Sequence, residues 1–109
     1  MSHIENKKVM DALAQCAAEC NHCATACLDE KDIMMLTRCI RLDIDCAEIC
    51  SLAGGFVARG SESYKRVLKL CAEICEACAK ECDTHTHMEH CSRCARACRD
   101  CADSCKNAA

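Results

Sequence analysis

Little in this sequence would interrupt a helix: proline is absent, and glycine occurs only at positions 54, 55 and 60. Without proline no residue in the chain lacks a backbone donor or kinks a helix by ring clash. Tryptophan is also absent, and Phe56 and Tyr64 are the only aromatics. A core without large rings and rich in Ala and Cys buries little hydrocarbon, so packing alone would hold it weakly. Alternating β-branched runs of the kind that mark strands do not occur. Nor does an apolar window long enough to span a bilayer. The first residues, MSHIENKKVMDALAQ, contain neither an apolar signal segment nor a twin-arginine pair. The expected location is therefore cytoplasmic, where thiols stay reduced. Acids and bases are interspersed to a net charge of −3, which excludes a basic nucleic-acid face.

What the chain does have is cysteine: 16 in 109 residues, a density that marks a cysteine framework. Ala, Glu, Lys, Arg and Leu favour helix throughout, and residues 1–109 are read as a single domain. Four helices are expected at about 4–29, 32–58, 62–83 and 88–107, linked by Asp29–Asp32, Arg59–Ser61 and Asp83–His87. At the second link Gly60 can serve as C-cap and Ser61 as N-cap. Links this short join antiparallel neighbours. The fold class is all-α, an antiparallel up-down-up-down four-helix bundle with a cysteine-lined core.

The cysteines repeat with helical period. Cys16, Cys20, Cys23 and Cys27 stand at offsets of 0, 4, 7 and 11, and Cys71, Cys75, Cys78 and Cys82 repeat them. Cys39, Asp43, Cys46 and Cys50 do so again with a carboxylate in the second place, and Cys91, Cys94, Cys98, Cys101 and Cys105 alternate steps of three and four. At about 100° per residue each set fits a narrow arc, so every helix carries one thiol stripe as its core-facing seam.

Helical spacing limits the chemistry. Cβ atoms four residues apart lie about 6 Å from each other, too far for the ~3.8 Å of a disulfide. Bridges between helices are geometrically open, but a reducing compartment disfavours them. CxxxCxxC runs resemble iron–sulfur motifs, yet cluster loops wrap one cofactor with irregular backbone, and here the runs are helical and occur four times. Zinc accepts four thiolates, but 16 thiols would stack several doubly charged sites in one core. Cu(I) is soft and takes thiolate and thioether ligands, and each ion offsets the charge of one thiolate. An empty core of protonated thiols packs as small hydrophobes. The same bundle can then be folded empty or full.

Extending the stripes distinguishes the two ends. Val9, Ala12 and Leu13, then Tyr64, Val67 and Leu68, then Ala53, Gly54 and Val57 gather at one end as an apolar plug. The other end carries Met35, Leu36, His85, His87 and His90, with Met34 and Met88 close by, and is read as the mouth through which metal enters. His22 is expected on the surface and His3 in an N-terminal tail. Asp43 is either a weak ligand or an acceptor of thiol hydrogen bonds. Helix 2 carries Ile33, Ile40 and Ile44 on one flank and Leu42, Ile49 and Phe56 on the other. These contact either neighbouring helices or another subunit.

CAAECNHCATACL at 16–28, CIRLDIDCAEIC at 39–50, CAEICEACAKEC at 71–82 and HCSRCARACRDCADSC at 90–105 together resemble the copper storage proteins. The resemblance covers nearly the whole chain. It implies a bundle filled with thiolate-bound Cu(I), multiple ions per chain, histidines beside an open mouth, and a homotetramer of the cytosolic branch. The expected function is Cu(I) storage and detoxification without catalysis, supplied by a copper chaperone or small-thiol donor. The metal-binding residues are the 16 cysteines with His85, His87 and His90. The alternatives are a redox or iron–sulfur electron carrier and a metallothionein-like zinc buffer.

Overall fold

The computed structural model describes residues 4 and 6–109; His3 lies outside them. Four helices follow one another: α1 (Lys7–Leu28), α2 (Thr37–Ala58), α3 (Tyr64–Cys82) and α4 (Glu89–Ala108). Short 3₁₀ turns at Ile33–Leu36 and Asp83–His85 precede α2 and follow α3. Among the described residues there is no strand. Helix α1 packs on α2 and α4, and α3 packs on the same two, while the backbones of the diagonal pairs stay apart and only their core side chains meet. This is the square of an antiparallel up-down-up-down bundle. It measures 47 × 17 × 16 Å. Among the described residues no helix is long and apolar enough to cross a membrane.

Each helix begins later than expected, at 7, 37, 64 and 89 rather than 4, 32, 62 and 88, and two of these starts change which side chains share the seam. The segment expected to begin helix 2 at 32 is a 3₁₀ turn through Leu36, with three rather than 3.6 residues per turn. Extrapolating the cysteine stripe backward therefore succeeds for Leu36, which is buried, and fails for Met35, which is 71% exposed. Helix α4 starts at Glu89 after an extended Met88 (φ −103°, ψ 124°). His87 thus precedes the helix and does not share its seam; it is exposed.

The link after α2 is a Schellman turn. Gly60 adopts φ 63°, a left-handed conformation that costs a side-chain-bearing residue Cβ clashes. Its N–H reaches Val57 O, and Ser61 N–H reaches Phe56 O, each at 3.0 Å. The Ser61 hydroxyl accepts from Ser63 N–H. It caps the turn ahead of α3 rather than the helix itself, whose N-cap position is Ser63.

All 16 cysteines are buried. In seven places a buried alanine follows a cysteine directly: Ala17, Ala24, Ala47, Ala72, Ala79, Ala95 and Ala102. Side chains this small let neighbouring helices approach closely, which brings sulfur to sulfur across the bundle. At one end Val9, Leu13, Ala53, Val57 and Leu68 close the core. Tyr64 and Val67 pack against them while half-buried.

Candidate metal centre

The thiols form one connected array. Within helices, Cys16–Cys20, Cys23–Cys27 and Cys71–Cys75 stand 3.9 Å apart, sulfur to sulfur. Between helices, Cys46–Cys75 is 3.5 Å, Cys39–Cys82 and Cys20–Cys98 are 3.6 Å, and Cys16–Cys46 and Cys50–Cys71 are 3.7 Å. These distances are far beyond an S–S bond, and every thiol is free. A metal–thiolate bond of about 2.3 Å allows two ligands of one ion to lie up to about 4.6 Å apart, so the pairs are already within one ion's span.

The groupings overlap. Cys16, Cys46, Cys50 and Cys75 form one tight set; Cys16, Cys20, Cys46 and Cys98 form another; Cys50, Cys71, Cys75 and Cys101 form a third. Cys20, Cys78, Cys94 and Cys98 make a fourth. Because members are shared, these are not separate four-thiolate sites. Filling them requires an ion content with few ligands per ion and thiolates that bridge.

Without metal the thiols divide: some are held protonated, while Cys46 and Cys94 are pushed below the ordinary thiol range by hydrogen bonds from neighbouring thiols, with Cys16 and Cys20 foremost. Burial raises Cys27 above its ordinary value. For Cys20 and Cys98, the hydrogen bonds with Cys16, reinforced by burial, act in the same direction. Neutral thiols avoid the large cost of isolated buried charge.

Asp43 is fully buried in α2. Its Oδ1 accepts from Cys78 at 3.2 Å, Cys94 at 3.3 Å and Cys82 at 3.7 Å, and its Oδ2 accepts from Cys39 at 3.9 Å. Thiols of three helices therefore converge on one carboxyl. Its pKa is pushed up from 3.8 to about 8, chiefly by burial. Of the two roles expected for Asp43, the metal-free geometry displays the acceptor role.

The three histidines behave differently. His90 Nδ1 lies 3.5 Å from Cys91 Sγ, 3.6 Å from Cys23 Sγ and 3.8 Å from Cys27 Sγ, and these four residues make a compact set. His85 is buried, with its Nε2 3.0 Å from Glu81 Oε2. His87 stacks edge-on to His85 with ring centroids 6.5 Å apart, but no hydrogen bond joins it to a thiol among the described residues. A depression of about 500 Å³ opens at this end, lined by His85, His87, Met35, Leu36, Met88 and the acidic turn 29–32. His22 is exposed.

Glu30 and Glu81, which hold His90 and His85, had no signal of their own, because an acidic residue in a charged turn reads as solvated surface. The buried alanines did carry a signal: a Cys–Ala pair recurs at seven-residue spacing within α1, α3 and α4.

Residues 2–109 match the family model described as copper storage protein. The uncharacterized cysteine-rich protein YhjQ of Bacillus subtilis strain 168 is 46% identical over 100 residues, with 92% of each chain covered. The Cu(I)-bound copper storage protein BsCsp3, from Bacillus subtilis, superposes with a TM-score of 0.88 at 44% identity, covering 93% of this chain and 94% of that one. A cytosolic copper storage protein from Streptomyces lividans, in a copper-loading structure with five coppers, gives 0.90 at 38% identity, covering 94% and 89%.

Proposed function

The chain belongs to the copper storage protein family, and we propose on that footing that it stores many Cu(I) ions on the thiolates of its bundle core. The observation that carries this is the overlap of the thiol sets along the bundle. Each entering Cu(I) takes the place of a thiol proton, so the core stays near neutral at every stage of filling. The neighbouring thiols need only small movements, because their sulfurs already stand 3.5–4.0 Å apart. Ligands are the 16 cysteines, with His90 completing the set of Cys23, Cys27 and Cys91. His85 and His87 line the entrance, where soft Met35 and Met88 thioethers are also at hand.

We place the protein in the cytoplasm, in keeping with the cytosolic relative from Streptomyces lividans. There a copper chaperone or a small-thiol complex delivers the ion. The protein sequesters copper and catalyses nothing. Its assembled form is a homotetramer, supported by the apolar side chains that α2 leaves uncovered: Ile44 is 45% exposed and Leu52 48%. Residues 1–109 act as one storage domain.

Anaerobic titration with Cu(I) against a competing chelator tests the proposal. Saturation near one ion per thiol is expected, since one ion neutralises about one thiolate. Saturation at one or two ions would rule storage out. Zinc retained in the presence of excess Cu(I) would point to a zinc buffer, and an iron–sulfur absorption band to an electron carrier.

A further inference from the structure

We propose that Glu30 is the positioning residue of the mouth: its carboxylate takes the Nε2–H of His90 and so turns the lone pair of Nδ1 onto the thiols of Cys23, Cys27 and Cys91. The inference rests on the Cu(I)-storage function proposed above and concerns how its outermost ligand set is prepared.

A neutral imidazole has one N–H and one lone pair, and which nitrogen carries which depends on the partners. His90 Nε2 lies 3.3 Å from Glu30 Oε1. An ionised carboxylate only accepts, so Nε2 is the donor and Nδ1 holds the lone pair. Nδ1 is the atom directed at the three sulfurs, 3.5–3.8 Å away. Thiols are weak donors and would not by themselves hold the ring in one orientation. The glutamate is the stronger partner, being charged.

Glu30 is itself anchored. Its N–H donates to Cys27 O at 3.2 Å, continuing the last turn of α1. The carboxylate therefore projects from the end of the helix that carries Cys23 and Cys27, and it reaches across to the first turn of α4. One glutamate thus ties the two helices that supply the set and orients the nitrogen between them. A ligand histidine held by a carboxylate through its second nitrogen is a recurrent device for fixing tautomer and ring direction.

His85 provides an internal control. Its Nε2 is held in the same manner by Glu81, which Arg38 approaches at 3.8 Å. Among the described residues, however, no hydrogen bond connects His85 to a thiol. Loss of Glu81 should leave the Cys23–Cys27–Cys91 set undisturbed.

The test uses the full chain with Glu30→Ala, Glu30→Gln and Glu81→Ala. In the metal-free protein, the ¹⁵N spectrum of the histidine rings should show His90 as a single Nε2–H tautomer. In Glu30→Ala its two nitrogen signals should move toward the averaged positions of exchanging tautomers, and in Glu81→Ala they should stay in place. Anaerobic loading from a Cu(I)–bicinchoninate complex should show the first phase slowed about tenfold in Glu30→Ala, the lower end of the usual range for such partners. Total capacity should be unchanged. Glu30→Gln keeps side-chain volume while removing the charge and should show the same direction, which guards against a folding defect of the alanine variant. Unchanged His90 signals and unchanged early loading in both Glu30 variants would overturn the assignment. A wild-type capacity of one or two ions would overturn the storage function instead, so the two failures are separable.

Discussion

The two ends of the bundle are built from the same four helices and have opposite chemistry. At the closed end Val9, Leu13, Val57 and Leu68 fill the core below the last cysteines, and a single link, the Schellman turn at Gly60, joins α2 to α3. At the mouth two links meet, each containing a 3₁₀ turn, and the core ends in imidazole, thioether and carboxylate around a depression of about 500 Å³. The difference is one of reversibility. Aliphatic side chains at the closed end have no group to offer an ion and must separate to let one pass. The mouth has soft and polar groups, and under the storage function proposed above it is the end at which an ion would pass from the rim to His90 and on to the sulfurs. On that proposal the closed end serves stability and the mouth serves exchange.

The contrast predicts where each property breaks. Leu68 is fully buried, and truncation to Ala should lower the unfolding free energy of the metal-free protein by about 2–5 kcal/mol. Denaturant unfolding would measure it. Met35→Ala at the exposed mouth should cost less than about 0.5 kcal/mol. Equal losses at the two positions would contradict the division.

Asp43 predicts a dependence on pH. Its acid is pushed up from 3.8 to about 8 in the fold, so between those values the folded chain keeps a proton that the unfolded chain releases. Its contribution is therefore complete below pH 3.8 and lost as pH rises through about 8. The size is on the order of a few kcal/mol. Urea unfolding of metal-free protein across this window should show stability falling with pH, and Asp43→Asn should flatten that slope. The same slope in both proteins would exclude Asp43 as its source.

The smallest effects separate the histidines. His90→Phe should slow Cu(I) loading about tenfold, as expected when a ligand set loses its imidazole. His87→Phe, at an exposed position with no hydrogen bond to a thiol among the described residues, should change the rate by less than about twofold, within the range of ordinary surface substitutions. Total capacity should stay close to wild type in both. Stopped-flow loading under anaerobic conditions would distinguish them, and an equal slowing would restore His87 to the position in the seam that its spacing suggested.

Much of the fold was legible because cysteine period and helix period coincide. Four runs of thiols at steps of three and four, in a chain without proline, leave only helices that face one another. The plug was legible for the same reason: Val9, Leu13, Val57 and Leu68 continue the stripes inside true α-helix. The readings failed where the backbone left that geometry. Met35 sits in a 3₁₀ turn and His87 ahead of an extended residue, so 100° per residue no longer described where they point.

By itself, then, the sequence determined the angular placement of every cysteine, the all-helical bundle and the apolar and polar character of its ends. These follow from periodicity, which is a local property of the backbone. Only the tertiary structure decided which thiols of different helices stand together, that four of them converge on Asp43, and that Glu30 meets His90 across sixty residues of chain. Those relations depend on axial register and on the distance between helices. Both are set by how the links turn and how closely small side chains let the helices pack, and neither is written in the spacing of any one stripe.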